Sequence, residues 1–213
     1  MSENMKGITA MLMSAIGFIT NDAIVKLITA ELPNGEIIFL RGLVATSIMG
    51  LICSILGGWR SPRVLLQGAM LTRLIAAASA TLFVVASLRH LPLANINAIL
   101  QVGPLLVTAG AAILLGAHVG WRRWVASCIG FAGALLIIKP GTSAFVPAIW
   151  LALACLMSSS TRDLATRFVD RSVPSIFVTF AASAMVMMAG LGLAPFETWI
   201  VPSPHALTLI MAT

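Results

Sequence analysis

Two stretches decide the fold: Ile19–Pro33, which reads ITNDAIVKLITAELP, and Ser160–Pro174, which reads STRDLATRFVDRSVP. In the first, Asp22 is followed four residues later by Lys26 and then by Pro33; in the second, Asp163 is followed by Arg167 and Pro174, all at an offset of 141. Each stretch closes an apolar segment. An acid carried that far into an apolar span is costly unless it is paired or functional, so matching acids, cations and prolines in one register point to a duplicated membrane protein. Beyond the acids, the prolines and the pair Phe39/Phe180, the two copies share few residues. The repeat therefore rests on expensive residues in matching places.

Composition agrees. The chain of 213 residues is 59% hydrophobic and only 9% charged, with a mean hydropathy of +1.02, whereas a soluble domain carries roughly 25% charged residues. Apolar segments of about 20 residues, the length a helix needs to cross the hydrocarbon core, fall at Ile8–Leu27, Ile37–Leu56, Leu71–Leu88, Leu93–Leu115, Trp121–Ile138, Ala144–Thr161 and Pro174–Leu193, and another begins at His205. The alternating segments of roughly 10 residues that a barrel would need are missing. The net charge of +6 does not indicate a nucleic-acid surface, because the basic residues are scattered between apolar runs.

With the amino terminus cytoplasmic, Lys6, Arg60, Arg63, Arg73, Arg122, Arg123, Arg162, Arg167 and Arg171 all lie on the cytoplasmic side. The opposite loops hold Arg89, Lys139 and the acids Glu31, Glu36 and Glu197, so the positive-inside rule selects this orientation. Trp59, Trp121, Trp124 and Trp199 sit at span ends, as interfacial anchors do. Asn21 and Asp22 stand where a signal peptide would have its small-residue cleavage site, so the first segment reads as a retained span. Cys53, Cys128 and Cys155 lie in apolar spans without ligand spacing to a histidine and read as packed or lipid-facing thiols.

The offset divides the chain into a first repeat, Met1–Pro140, and the beginning of a second, Gly141–Thr213. An odd number of spans in the first sends the second into the membrane from the opposite side. Inverted repeats of this kind place substrate sites near the midplane between the halves. Thr213 corresponds to Thr72, so the second repeat is expected to be cut after two spans and part of a third. The expected fold is an all-α integral membrane protein of inverted five-helix repeats, ten spans at full length, of which seven and the start of an eighth are present.

Several residues could carry chemistry within that frame. Asp22 and Lys26 share a helix face and can neutralise each other, with Lys26 snorkelling to the interface; Asp163 and Arg167 invite the same reading. Arg41 lies about one turn inside the second span and must snorkel, pair with Asp22 or Glu36, or face a water-filled cavity. In the fourth span Asn95, Asn97 and Gln101 precede Pro104, which removes a backbone hydrogen bond and frees a carbonyl to line a polar pocket. Ser158, Ser159, Ser160 and Thr161 read as satisfying backbone carbonyls or allowing close helix packing. His90, His118 and His205 lie at span ends or in loops, so no serine nucleophile has a base beside it. No phosphate-binding glycine loop or metal spacing is present, so no cofactor is expected.

The strings Asn21-Asp22-Ala23-Ile24-Val25-Lys26, Phe39-Leu40-Arg41-Gly42, LRHLPLANINAI over Leu88–Ile99, Pro104-Leu105 and GAHVGWRRWVASCIGFAGALLIIKP over Gly116–Pro140 occur in the order and spacing of a known family. The chain resembles the EamA branch of the drug/metabolite transporter superfamily throughout its length, departing where Ala117 stands in place of the acid usual after Leu115-Gly116. The resemblance implies ten spans in two inverted five-span repeats around a central cavity. It further implies a non-enzymatic secondary transporter of amino acids, riboflavin, S-adenosylmethionine or similar metabolites in the bacterial cytoplasmic membrane, proton-coupled or exchanging. Arg41, Asn95, Asn97 and Gln101 are expected to line the substrate path, with Asp22 assisting or balancing Arg41, and the cationic Arg41 to favour substrates bearing a carboxylate. The expected partners are a small-molecule metabolite and the lipid bilayer, with a homodimer as an allowed assembly and no nucleic acid. The rival reading is a non-transporting membrane protein, either a truncated paralogue or a regulatory partner.

Overall fold

A computed structural model describes residues 3–116, 120–121, 124–125, 128–130, 132–133, 148–170 and 172–211. All regular structure among them is helical: α1 (Glu3–Ile28), α2 (Asn34–Ile55), α3 (Gly68–His90), α4 (Leu93–Leu100), α5 (Gly103–Leu115), α6 (Ile149–Thr166), α7 (Ser175–Gly192) and α8 (Pro204–Met211), with short 3-10 turns at Pro62–Leu66 and Ala194–Phe196. Helices are what apolar segments form in hydrocarbon, because only a closed hydrogen-bond pattern satisfies the backbone there. The chain is an all-α, multi-pass membrane protein. Among the described residues, four stretches are long and apolar enough to cross a bilayer: Asn34–Ile55, Gly68–His90, Leu93–Leu114 and Ser175–Phe196. The predicted first and sixth spans fall on α1 and α6; the fifth, the repeat boundary at Pro140 and Gly141, and Ala117 lie wholly or largely outside the described residues.

Proline sets the starts of three helices. Pro33, Pro92 and Pro174 are the caps before α2, α4 and α7, with φ between −62 and −59° and ψ between 134 and 153°. A residue with fixed φ and no N–H stops the preceding chain from continuing as helix and opens the next one. Gly57, with φ +63°, makes the turn after α2, and its neighbour Gly58 donates to the Cys53 carbonyl at 2.9 Å.

The most extensive helix pair is α2 with α7, followed by α3 with α6. In the α2–α7 pair, Gly35 and Phe39 near the start of α2 meet Gly190 near the end of α7; Gly42 meets Met187, and Gly50 meets Phe180. The two helices therefore run antiparallel. Small residues let the backbones approach: a Cβ on Gly190 would stand 2.5 Å from the Phe39 nitrogen and 2.9 Å from the Gly35 carbonyl oxygen, and one on Gly42 would stand 2.7 Å from the Met187 Cα. In lipid there is little hydrophobic gain from bringing apolar helices together, so close packing of this kind carries much of the association.

An aromatic contact closes each end of the pair. Trp199 packs on Phe39 with centroids 5.3 Å apart, and Trp59 packs on Phe180 at 5.0 Å, edge to face. The two phenylalanines are the 141-residue partners of the sequence register. Trp59 and Trp199 thus do more than anchor an interface.

At the Trp199 end, three carboxylates tie the segment after α7 to the α1–α2 turn. Glu197 accepts from the Gly35 N–H at 2.7 Å, the buried Glu36 accepts from the Ile200 N–H at 3.1 Å, and Glu31 accepts from the Ser203 hydroxyl at 3.1 Å. Between α6 and α7, Asp170 accepts the Ser172 N–H at 2.8 Å, and this bond holds its carboxyl below the usual carboxylate range.

Replacing Gly190 by Ala forces a methyl into the α2–α7 backbone contact and should lower stability by about 1–3 kcal/mol. Gly192→Ala, where the added carbon meets nothing within 4 Å, is the control. Thermal unfolding in detergent compares the two, and equal midpoints would contradict the close-packing account.

Candidate functional site

Where α1 and α3 end side by side, each offers a cation to the other's last carbonyls. Lys26 of α1 donates through Nζ to the carbonyls of Leu88 and Leu91, the latter at 3.0 Å, at the end of α3. Arg89 of α3 donates through Nη2 to the carbonyls of Thr29, at 3.2 Å, and Leu32, at 2.5 Å, just past α1. Carbonyls at a helix C-terminus have no partner within the helix, and they carry the negative end of its dipole. A cation from the neighbouring helix answers both needs. The expectation of an Asp22–Lys26 pair gives way here, while that of an outward-reaching Lys26 stands: its ammonium extends to backbone acceptors at the end of α3.

Holding Lys26 at the end of α3 leaves Asp22, one turn earlier on the same face, beside the middle of α3. There it lines a cavity of about 530 Å³ together with Phe18, Thr81, Pro104, Ser159 and Ser160, drawn from α1, α3, α5 and α6. Two local features make that space polar. The predicted fourth span carries one irregular turn: α4 ends at Leu100, residues 101–102 keep right-handed helical dihedrals with a shortened hydrogen-bond pattern, and α5 resumes at Gly103-Pro104. Pro104 has no N–H to offer the Leu100 carbonyl, and both residues line the cavity. On α6, Ser159 donates to its own helix at the Leu156 carbonyl, 3.0 Å away, as expected. Ser160 follows the other alternative, close packing: it is 7% exposed and lies against Gly103, and its hydroxyl has no hydrogen-bond partner among the described residues.

Arg41 approaches Asp22 from the other side through Asn21. The Arg41 Nη2 donates to the Asn21 Oδ1 at 2.6 Å, and the Asn21 Nδ2 donates to the Asp22 Oδ1 at 3.3 Å. Arg41 lines two smaller neighbouring cavities, one with Ser14, Gly17, Phe18 and Asn21 and another with Gly42, Thr81 and Ser183. Glu36, the other partner that the sequence allowed, accepts the Ile200 N–H.

Of the predicted site residues, then, Asp22 and Arg41 come together, with Asn21 as the unpredicted link. Asn95, Asn97 and Gln101 line none of the described cavities. Gln101 is exposed and gives its backbone N–H to the Asn97 carbonyl at 3.0 Å. The proline turn after them lines the cavity, but their amides do not. Asp163 reaches the cavity mouth, where Arg162 pairs with it at 2.8 Å in place of Arg167. Cys155 is buried in the cavity wall, with its thiol 3.4 Å from the Ala80 carbonyl; Cys53 is buried and Cys128 exposed. No group of three or more metal-ligating side chains occurs among the described residues.

The comparison with known proteins places these residues in a family: residues 5–139 match the EamA-like transporter family. The chain belongs to that family. Among curated relatives it is 27% identical over 107 residues to an S-adenosylmethionine uptake transporter of Rickettsia prowazekii, covering 50% of this chain and 36% of that protein. It is 33% identical over 99 residues to a riboflavin transporter of Rhizobium johnstonii, covering 44% and 33%. With the pseudopaline exporter CntI of Pseudomonas aeruginosa it shares 26% identity over 141 residues, covering 63% and 46%. The aligned stretches thus span a third to just under half the length of these relatives. No solved structure matches.

Lys26→Met should strand the Leu88 and Leu91 carbonyls at a cost of about 1–3 kcal/mol. Arg89→Met should strand those of Thr29 and Leu32 at a similar cost. Unfolding of the purified chain in detergent measures both, and an unchanged midpoint in either variant would contradict the reciprocal clasp.

Proposed function

We propose that this EamA-family chain forms part of a secondary active transporter that moves a small metabolite across the bacterial cytoplasmic membrane, coupled to protons or to exchange. The observation that carries the reading is the cavity at the proline turn of the fourth span, where a carboxylate and a buried hydroxyl, unpartnered among the described residues, stand among apolar helices. Ionisable groups inside membrane segments are expensive, and they mark solute or ion pathways when they face a cavity. A proline turn in a helix lining such a cavity supplies polar backbone for a passing solute. The curated relatives are named for three different solutes in two directions, uptake and export. Their common ground is the scaffold and not one substrate.

The proposal takes the chain as a complete five-helix repeat, residues 1–140, followed by part of an inverted one. Three features support it: the antiparallel run of α2 and α7, the proline starts of both, and the Trp–Phe contacts at their opposite ends. With the amino terminus cytoplasmic, Lys26 and Arg89 lie at the outer end of α1 and α3. The Arg162–Asp163 pair lies on the cytoplasmic side.

In this reading Arg41 is a positioning residue. It fixes Asn21, which in turn orients the Asp22 carboxylate at the cavity wall. The expected role of Asn95, Asn97 and Gln101 as lining amides moves to Pro104, Ser159 and Ser160.

Reconstitution of the chain, extended by whatever sequence follows it, into vesicles with an imposed proton gradient and a metabolite panel tests the proposal. Arg41→Ala should depress uptake or efflux on the order of tenfold, as expected for loss of a charge-assisted hydrogen bond worth about 1.5–3 kcal/mol, with membrane insertion retained. Normal transport by a well-inserted variant would contradict the role of Arg41.

A further inference from the structure

We infer that the cavity between α1, α3, α5 and α6 recognises the positive group of its solute, a protonated amine or a comparable onium centre, through Asp22, with the Ser160 hydroxyl as a second polar contact. The inference rests on the transport reading above and deepens it by assigning a charge class. The sequence, through Arg41, pointed instead to an anionic substrate.

Geometry reverses that expectation. Arg41 lines the flanking cavities and spends one guanidinium nitrogen on Asn21, while Asp22 lines the central cavity itself. The two other charges at that cavity, Arg162 and Asp163, pair with each other at 2.8 Å at its exposed mouth. Inside the cavity Asp22 supplies the negative charge, and the Arg41 guanidinium acts on it electrostatically from behind Asn21. Asn21 gives Asp22 one donor, at 3.3 Å, whereas a carboxylate has about four acceptor positions. A cationic donor would fill the remaining ones.

Two neutral neighbours suit the same ligand. Phe18, one turn before Asp22, borders the cavity with part of a largely outward-facing side chain, and an aromatic face attracts cations. Ser160 is 7% exposed with its hydroxyl unpartnered among the described residues. Burying a hydroxyl without a hydrogen bond is unfavourable, so this one is poised for a polar group of the solute. Thr81 and Ser159 already donate to the carbonyls of Ala77 and Leu156, which leaves their oxygens facing the site as acceptors. The described groups lining this cavity therefore have acceptors in excess of donors.

Reactivity of a single thiol reads this field without knowing the solute. Cys53, Cys128 and Cys155 are replaced by Ala and Ser160→Cys is introduced into the full chain in vesicles. The probes are the cationic reagent trimethylammonium-ethyl methanethiosulfonate and the anionic sulfonatoethyl analogue, each normalised to its rate with a free thiol. The cationic reagent should be favoured, Asp22→Asn should lower the normalised ratio on the order of tenfold, and Asp22→Glu should preserve it. Ser159→Cys gives the same readout if Ser160→Cys fails to fold. A ratio that favours the anionic reagent, one that Asp22→Asn leaves unchanged, or a thiol reached by neither reagent would overturn the inference. Transport that persists beside an unchanged ratio overturns only the charge assignment. A falling ratio in a chain that moves no solute overturns the transport reading and leaves the charge assignment standing.

Discussion

A helix that ends inside or at the edge of hydrocarbon must find donors for its last carbonyls, and the exchange of Lys26 and Arg89 between α1 and α3 meets that demand for both helices at once. Much else follows from it. A cation fixed to the neighbouring helix sets the rotation of its own, so the face that bears Lys26 also bears Asp22 and Phe18 one and two turns deeper. With α3 alongside and α6 packed antiparallel to α3, that face closes onto Thr81, Ser159 and Ser160. The cavity is thus a consequence of how two helix ends are satisfied.

The second half of the frame depends on shape more than charge. Glycines at 35, 42 and 190 let α2 and α7 meet backbone to backbone, and the tryptophans after each helix seal the ends against Phe39 and Phe180. Arg41 projects from this rigid pair toward α1. Its reach to Asn21 couples the close-packed pair to the wall that carries Asp22.

The helical class and the four clearest spans were legible in the sequence, because length and apolarity in a bilayer leave few alternatives. So were the proline starts at Pro33 and Pro174, where the missing N–H acts locally. What pattern could not reveal was choice among partners. Asp22 and Lys26 are spaced to pair, yet Lys26 goes to carbonyls that only the fold brings near. Asn97 and Gln101 share a helix face by spacing, but this span gives the cavity Leu100, Gly103, Pro104 and Val107 and not their amides. Ser160 sits in a run of four hydroxyl residues, of which only the packing of α6 singles it out as unpartnered. The one available signal was that it falls 141 residues after Ile19, in the register that carries Asp22.

If the solute passes through the cavity between α1, α3, α5 and α6, bulk placed there blocks it. In vesicles holding the extended chain, initial transport rates would be compared for Val107→Trp, which fills the cavity wall, and Ile113→Trp, at a position 81% exposed on α5. The first should abolish transport of a solute found by the metabolite screen while insertion is retained, and the second should leave the rate unchanged. Normal transport by an inserted Val107→Trp protein would contradict it.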